Sequence, residues 1–165
     1  MNVGDVMKYG HEMVVQSVDG LPEPDWLTPG VCGSWSVKDV IAHLASTELL
    51  IADVLESLVG SGPTPHLDAF KQKDPELNDK EVAHRRDWSV TRTLTEYADT
   101  ARRAMEIGAR ISPETARRPG TLPWYGEEYA LEDFLVYTSY GHKSEHCAQI
   151  AVHRDRLKAP GGAAR

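Results

Sequence analysis

The sequence predicts an all-α fold, a four-helix bundle, and three observations predict it. Apolar residues recur at steps of three and four over long stretches, as one buried face of a helix requires. Polar capping residues and Gly/Pro clusters punctuate those stretches. The last long stretch carries acids at its start and bases at its end, which suits the helix macrodipole. With 165 residues, 41% hydrophobic and 26% charged, a single helical-bundle domain over 1–159 is expected, with 160–165 a disordered tail.

The helices are expected at about 3–19, 36–59, 79–110 and 131–157. In the first, Val6, Met7, Met13, Val14 and Val18 give a stripe weakened by Gly4 and Gly10, and Gly20 and Pro22 end it. The second has the clearest pattern, with Val37, Val40, Ile41, Leu44, Ile51, Leu55 and Leu58 on one face. Ser36 and Asp39 form a capping-box-like start, and Gly60-Ser61-Gly62-Pro63 stops it. The third is expected to be capped by Asn78 with Glu81 at the box position, and Trp88, Leu94, Tyr97, Ala101, Ala104 and Ile107 supply a looser stripe. The fourth opens with Glu132 and Asp133 and closes with Arg154, Arg156 and Lys158.

The connections carry the prolines. Leu21–Gly33 reads as an ordered loop, and Gly60–Asn78 as the most mobile segment. In Ser112–Ala130 a short helical turn at Pro113–Arg117 and an extended piece at Thr121–Tyr125 are expected.

Charge and composition exclude several function classes. Eighteen Lys+Arg against 25 Asp+Glu leave a formal charge of −7, which argues against a nucleic-acid partner because phosphate contacts need a clustered cationic surface. No apolar run is long enough for a spanning helix, so no membrane partner is expected. The N-terminus predicts no secretory leader, and the two cysteines, Cys32 and Cys147, are too few for a disulfide framework, so a cytoplasmic location is expected.

Seven histidines are the main chemical resource. His142 and His146 lie four residues apart on one helix, so both rings project from one face about 6 Å apart along the axis. Two ring nitrogens at that spacing can converge on one metal ion, although two hydrogen-bonded or solvated histidines account for the spacing equally well. Phe134, Leu135, Thr138, Gln149 and Ile150 share the stripe and turn the pair toward the bundle interior. Gly141 could admit a close backbone or be a tolerated surface glycine. His43, at the edge of the main stripe of the second helix, is the best third ligand. Alone it would be read as an ordinary core histidine; three imidazoles from two helices would leave a metal with vacant positions.

Other residues contribute less. Glu48, near His43, and Gln149, one turn past His146, are candidates to orient a ligand or take part in a reaction, with Glu48 otherwise a boundary carboxylate reaching solvent. Glu145 and Cys147 point away from the pair, and Cys32 is read as an ordinary buried thiol that could approach the metal. His153 is read as structural or exposed, and His66 and His84 as solvated. A di-iron site needs two Glu-x-x-His motifs, and only Glu81-Val82-Ala83-His84 is present. His11-Glu12 has no histidine at zinc-protease spacing. Trp124 and Tyr125 are candidate substrate contacts with core packing as their default role.

The segment Gly33-Ser34-Trp35-Ser36-Val37-Lys38-Asp39-Val40-Ile41-Ala42-His43-Leu44, followed by His142-x-x-x-His146-x-x-Gln149-Ile150, resembles the DinB/YfiT-like superfamily of metalloenzymes. Trp26 and Gly33-Ser34-Trp35 are also similar to the mycothiol-dependent maleylpyruvate isomerases and related thiol transferases, which often carry a glutamate where this chain has His142. The resemblance implies a four-helix bundle in which His43, His142 and His146 bind a divalent metal, typically zinc or nickel. It further implies a homodimer and a low-molecular-weight thiol as co-substrate. The expected function is thus a metal-dependent S-transferase-like or hydrolytic enzyme acting on a small molecule. The alternative is a non-catalytic bundle with a structural metal or a ligand-binding role.

Overall fold

The computed structural model describes residues 2–60 and 62–159, so the expected tail at 160–165 lies outside them. The fold is predominantly helical, as the sequence predicts. Helix α1 (Val3–Val18) starts at Asn2, whose side chain accepts the Gly4 N–H. Helix α3 (Val37–Val59) is the central element, with most of its first nineteen residues buried. Its capping box forms as expected: Ser36 Oγ accepts from the Asp39 N–H at 3.2 Å, and Asp39 accepts from the Ser36 N–H at 2.9 Å.

The segment between α1 and α3 has more structure than a loop. It holds α2 (Glu23–Leu27) and an antiparallel pair, β1 (Pro29–Cys32) and β2 (Trp35–Ser36), with Pro29 opposite Ser36. Trp26 is buried there, and its indole N–H donates to the Leu21 carbonyl at 3.2 Å. After α3, the segment expected to be mobile contains α4 (Pro65–Lys71). The Asp53 carboxylate, buried on α3, accepts the backbone N–H groups of His66 and Leu67 at 2.6 and 3.2 Å and fastens α4 against α3. Leu67 completes the attachment by entering the core.

The helix expected over 79–110 is two helices, α5 (Leu77–His84) and α6 (Val90–Gly108). Asn78 lies inside α5 rather than capping it. The break is held by groups distant in sequence. Lys38 Nζ donates to the carbonyls of Arg86 and Trp88 at 2.6 and 2.8 Å, satisfying acceptors that a continuous helix would have paired internally. Arg85, 2% exposed, donates to both Glu96 oxygens and to Glu81, and Ser89 caps α6 through Arg92. Helix α7 (Pro113–Arg117) forms under a Ser112 cap as expected. Thr121–Tyr125, in contrast, folds as turns, with the Tyr125 N–H on the Leu122 carbonyl, rather than as an extended piece.

The last rod runs as α8 (Leu131–Leu135), a π-helical turn (Val136–Gly141) and α9 (His142–Lys158). The wider turn ends immediately before His142; such turns are frequent where a helix carries a functional group. Close approach occurs at Gly10 of α1, not at Gly141: a Cβ on Gly10 would overlap the Ser139 carbonyl oxygen, whereas Gly141 is exposed.

Two apolar clusters fill the interior. One gathers residues such as Met7, Ile51, Leu55, Leu131 and Leu135, the other Val14, Val40, Ile41, Leu44 and Ile150. Along α1, α3 and α9 the positions between them are polar, namely His11, Glu48 and Lys143. Glu48 and Lys143 are each 1% exposed and form an ion pair. The ammonium also lies 3.4 Å from Ser139 Oγ and 5.7 Å from the centre of the Tyr97 ring, on which His11 stacks.

Candidate metal centre

Helix α3 supplies His43 and helix α9 supplies His142 and His146, and the three side chains meet. His43 Nε2 is 3.0 Å from His142 Nε2, and His142 Nε2 is 3.0 Å from His146 Nε2. The ring centres stand 4.7–5.1 Å apart with the planes steeply inclined. Among the described residues these three form the group of His, Cys, Asp or Glu side chains whose donor atoms lie close enough to share an ion. Cys32 is not part of it.

The nitrogen spacing fits a shared cation. Donors about 2.05 Å from one ion, at angles between a right angle and the tetrahedral value, stand about 2.9–3.4 Å apart. Hydrogen bonding alone does not fit. An imidazole nitrogen carries either one proton or one lone pair in the ring plane, so His142 Nε2 can serve one of its two neighbours but not both. Gln149 removes part of the remaining freedom. Its Oε1 faces His146 Nδ1 at 2.9 Å, which places the proton on Nδ1 and the lone pair on Nε2, toward the other rings.

The electrostatics keep the rings neutral. Burial, reinforced by His142 and His146, pushes His43 down to about 3. Burial again leads for His142, pushed down to about 4 with smaller contributions from His146 and Lys143. His146 is lowered by burial against an opposing effect of its bond to Gln149. Neutral imidazoles with free lone pairs are the protonation state that metal ligation needs. On its other side His43 packs against Trp35, with ring centres 5.2 Å apart.

A cavity of about 350 Å³ opens beside the triad, bounded by α3, α4, α5, the Tyr125 turn and the last rod, with His43 and His142 in its wall. Tyr125 lines this cavity, while Trp124 packs against Phe70 and Phe134 behind it.

Several sequence expectations change here. Glu48 is not a boundary carboxylate reaching solvent, nor does it touch His43: it is buried against Lys143. The sequence did not disclose that partner: Ser139, Lys143, Cys147 and Ile150 become a buried stripe only once α9 packs against α1 and α3. His66 is half-buried and lines the cavity instead of being solvated, because Asp53 docks α4 there. His84 is exposed as expected, Glu145 points to solvent, and His153 is buried. Cys147 is buried, and burial raises its thiol above the ordinary range. Tyr137 and Glu81 also line the cavity, and the sequence reading assigned neither a place there.

Residues 10–131, well over half of the chain, match the family described as mycothiol maleylpyruvate isomerase N-terminal domain. The chain belongs to that family. Membership in the mycothiol maleylpyruvate isomerase N-terminal domain family agrees with the DinB/YfiT-like resemblance. The matched stretch contains His43 and ends before His142, so it covers one ring of the triad and the walls formed by α4 and α5. No curated protein and no solved structure shows significant similarity to the chain. No helix among the described residues is long and apolar enough to cross a membrane.

Proposed function

We propose that the protein is a metal-dependent enzyme in which His43, His142 and His146 hold a divalent cation, zinc or nickel, and that it joins a low-molecular-weight thiol to a small-molecule acceptor. The observation that carries this reading is His142 Nε2, 3.0 Å from two other ring nitrogens when it can pair with only one. A cation there would supply a Lewis acid able to hold a thiol in its thiolate form near neutral pH. The chain's own residues do the rest. Gln149 fixes the tautomer of His146, burial keeps the three rings unprotonated, and the adjoining cavity leaves an approach from the His43–His142 side.

Family membership supports thiol chemistry over metal-assisted hydrolysis, and the cavity supports an enzyme over a purely structural ion. A cytoplasmic homodimer completes the proposal: the family resemblance supports the dimer, testable by sedimentation of the purified chain, and the low cysteine content supports the location.

Metal analysis of purified protein tests the assignment. The proposal expects about one zinc or nickel ion per chain, lost in His43→Ala and in the His142→Ala/His146→Ala double variant. Unchanged metal content in both variants contradicts it. If metal loss also abolishes folding, the ion is structural. If the fold persists, free-thiol consumption by the loaded protein, with a thiol and an electrophilic acceptor present, is the readout for transfer.

A further inference from the structure

The cavity beside the triad also constrains what can be presented to it. Its walls are predominantly apolar, with Leu50, Phe70, Leu77, Tyr125, Phe134 and Tyr137 lining it. Its polar lining consists mainly of neutral groups, such as the Thr47 and Thr138 hydroxyls and the Asn78 amide. No lysine or arginine is among the lining residues, and the one carboxylate, Glu81, is already paired with Arg85 Nη1 at 2.8 Å. Away from the triad, a negatively charged ligand group placed against these walls would give up part of its water without gaining a cationic partner. The formal charge of −7 on the whole chain adds a repulsive field rather than an attractive one.

We infer that the acceptor used by this site carries an uncharged, ring-sized apolar part that fills the cavity between α3, α4, α5 and Phe134, so that any charged group it bears lies at the triad and not against these walls. The inference rests on the proposed function for the identity of the site, but the cavity's preference is a property of its own walls. A space of about 350 Å³ lies in the range of sites that enclose small organic ligands, and aromatic walls favour a flat ring.

Calorimetric titration of the metal-free and zinc-loaded protein at pH 8 tests it, with methyl 2-naphthoate as the neutral probe, 2-naphthoate as its anionic counterpart and maleate as the dianion. The metal-free arm is the decisive one, because there no ion can capture a carboxylate. The ester is expected to bind metal-free protein at least tenfold more tightly than 2-naphthoate, and maleate at least a hundredfold more weakly than the ester. Phe70→Arg, at a partly exposed position on the rim, is expected to narrow the ester–carboxylate difference at least tenfold while leaving the circular dichroism spectrum unchanged. Equal binding of ester and carboxylate by metal-free protein, no binding of the ester, or no response to Phe70→Arg in a folded variant overturns the inference. Failure of the metal proposal reads differently: zinc is not taken up, yet the ester still binds.

Discussion

The buried Glu48–Lys143 pair offers the sharpest quantitative prediction. Each side chain is 1% exposed, and the pair links α3 to α9 five residues after His43 and one after His142. Removing one partner leaves a desolvated charge, so Lys143→Met and Glu48→Gln should each cost about 3–5 kcal/mol. At about 2–4 °C per kcal/mol for a chain of this size, either should lower the thermal midpoint by roughly 6–20 °C. Replacing both, as Glu48→Leu/Lys143→Met, exchanges two buried charges for apolar side chains of similar volume. Such exchanges are often neutral or stabilising by about 1–4 kcal/mol, so the double variant should be far more stable than the single-site costs sum to. The assay is guanidinium unfolding of the four metal-free proteins followed by circular dichroism. Single-variant losses below about 1 kcal/mol, or additive effects of the two positions, would refute the claim that the charges are buried together.

Four further outcomes are expected. Gln149→Leu removes the acceptor that fixes His146 and should weaken metal affinity by about 10–100-fold in a chelator competition assay, with little change in the denaturation midpoint. Gly10→Ala forces α1 away from the Ser139 carbonyl and should cost about 1–3 kcal/mol, measured by denaturant unfolding. The metal-free protein should lose stability as pH falls below 6.5: His43 and His142 titrate at about 3 and about 4 when folded, so between those values and 6.5 the unfolded chain binds more protons. Each imidazole contributes a slope of up to about 1.4 kcal/mol per pH unit in that window. His43→Ala should make the profile shallower, and an unchanged slope would contradict the lowered value. Because the folded rings resist protonation, metal should also be retained at more acidic pH than the ordinary imidazole value of 6.5 implies.

Local signals were the legible ones. The Ser36–Asp39 box and the alternation of three and four along α3 are written in adjacent residues, and both define α3 in the structure. His142, His146 and Gln149 share one helical face at spacings of four and three, which makes their grouping readable before folding. What escaped the sequence depends on distant partners. The break between α5 and α6 is stabilised by Lys38, 48 and 50 residues away from the carbonyls it meets. Glu48 reads as a boundary carboxylate until α9 brings Lys143 beside it, and His66 reads as solvated until Asp53 anchors α4. His43 lies between these cases: its position on α3 was readable, but the 3.0 Å approach to His142 across 99 residues is a property of the packed helices.

X-ray absorption at the zinc edge of the loaded protein addresses the ligand set directly. Three imidazoles around one ion is the expected spectrum, with no protein-bound zinc signal left in His43→Ala. A site with one imidazole or none, or one indifferent to His43→Ala, would contradict the assignment of the three rings to a common cation.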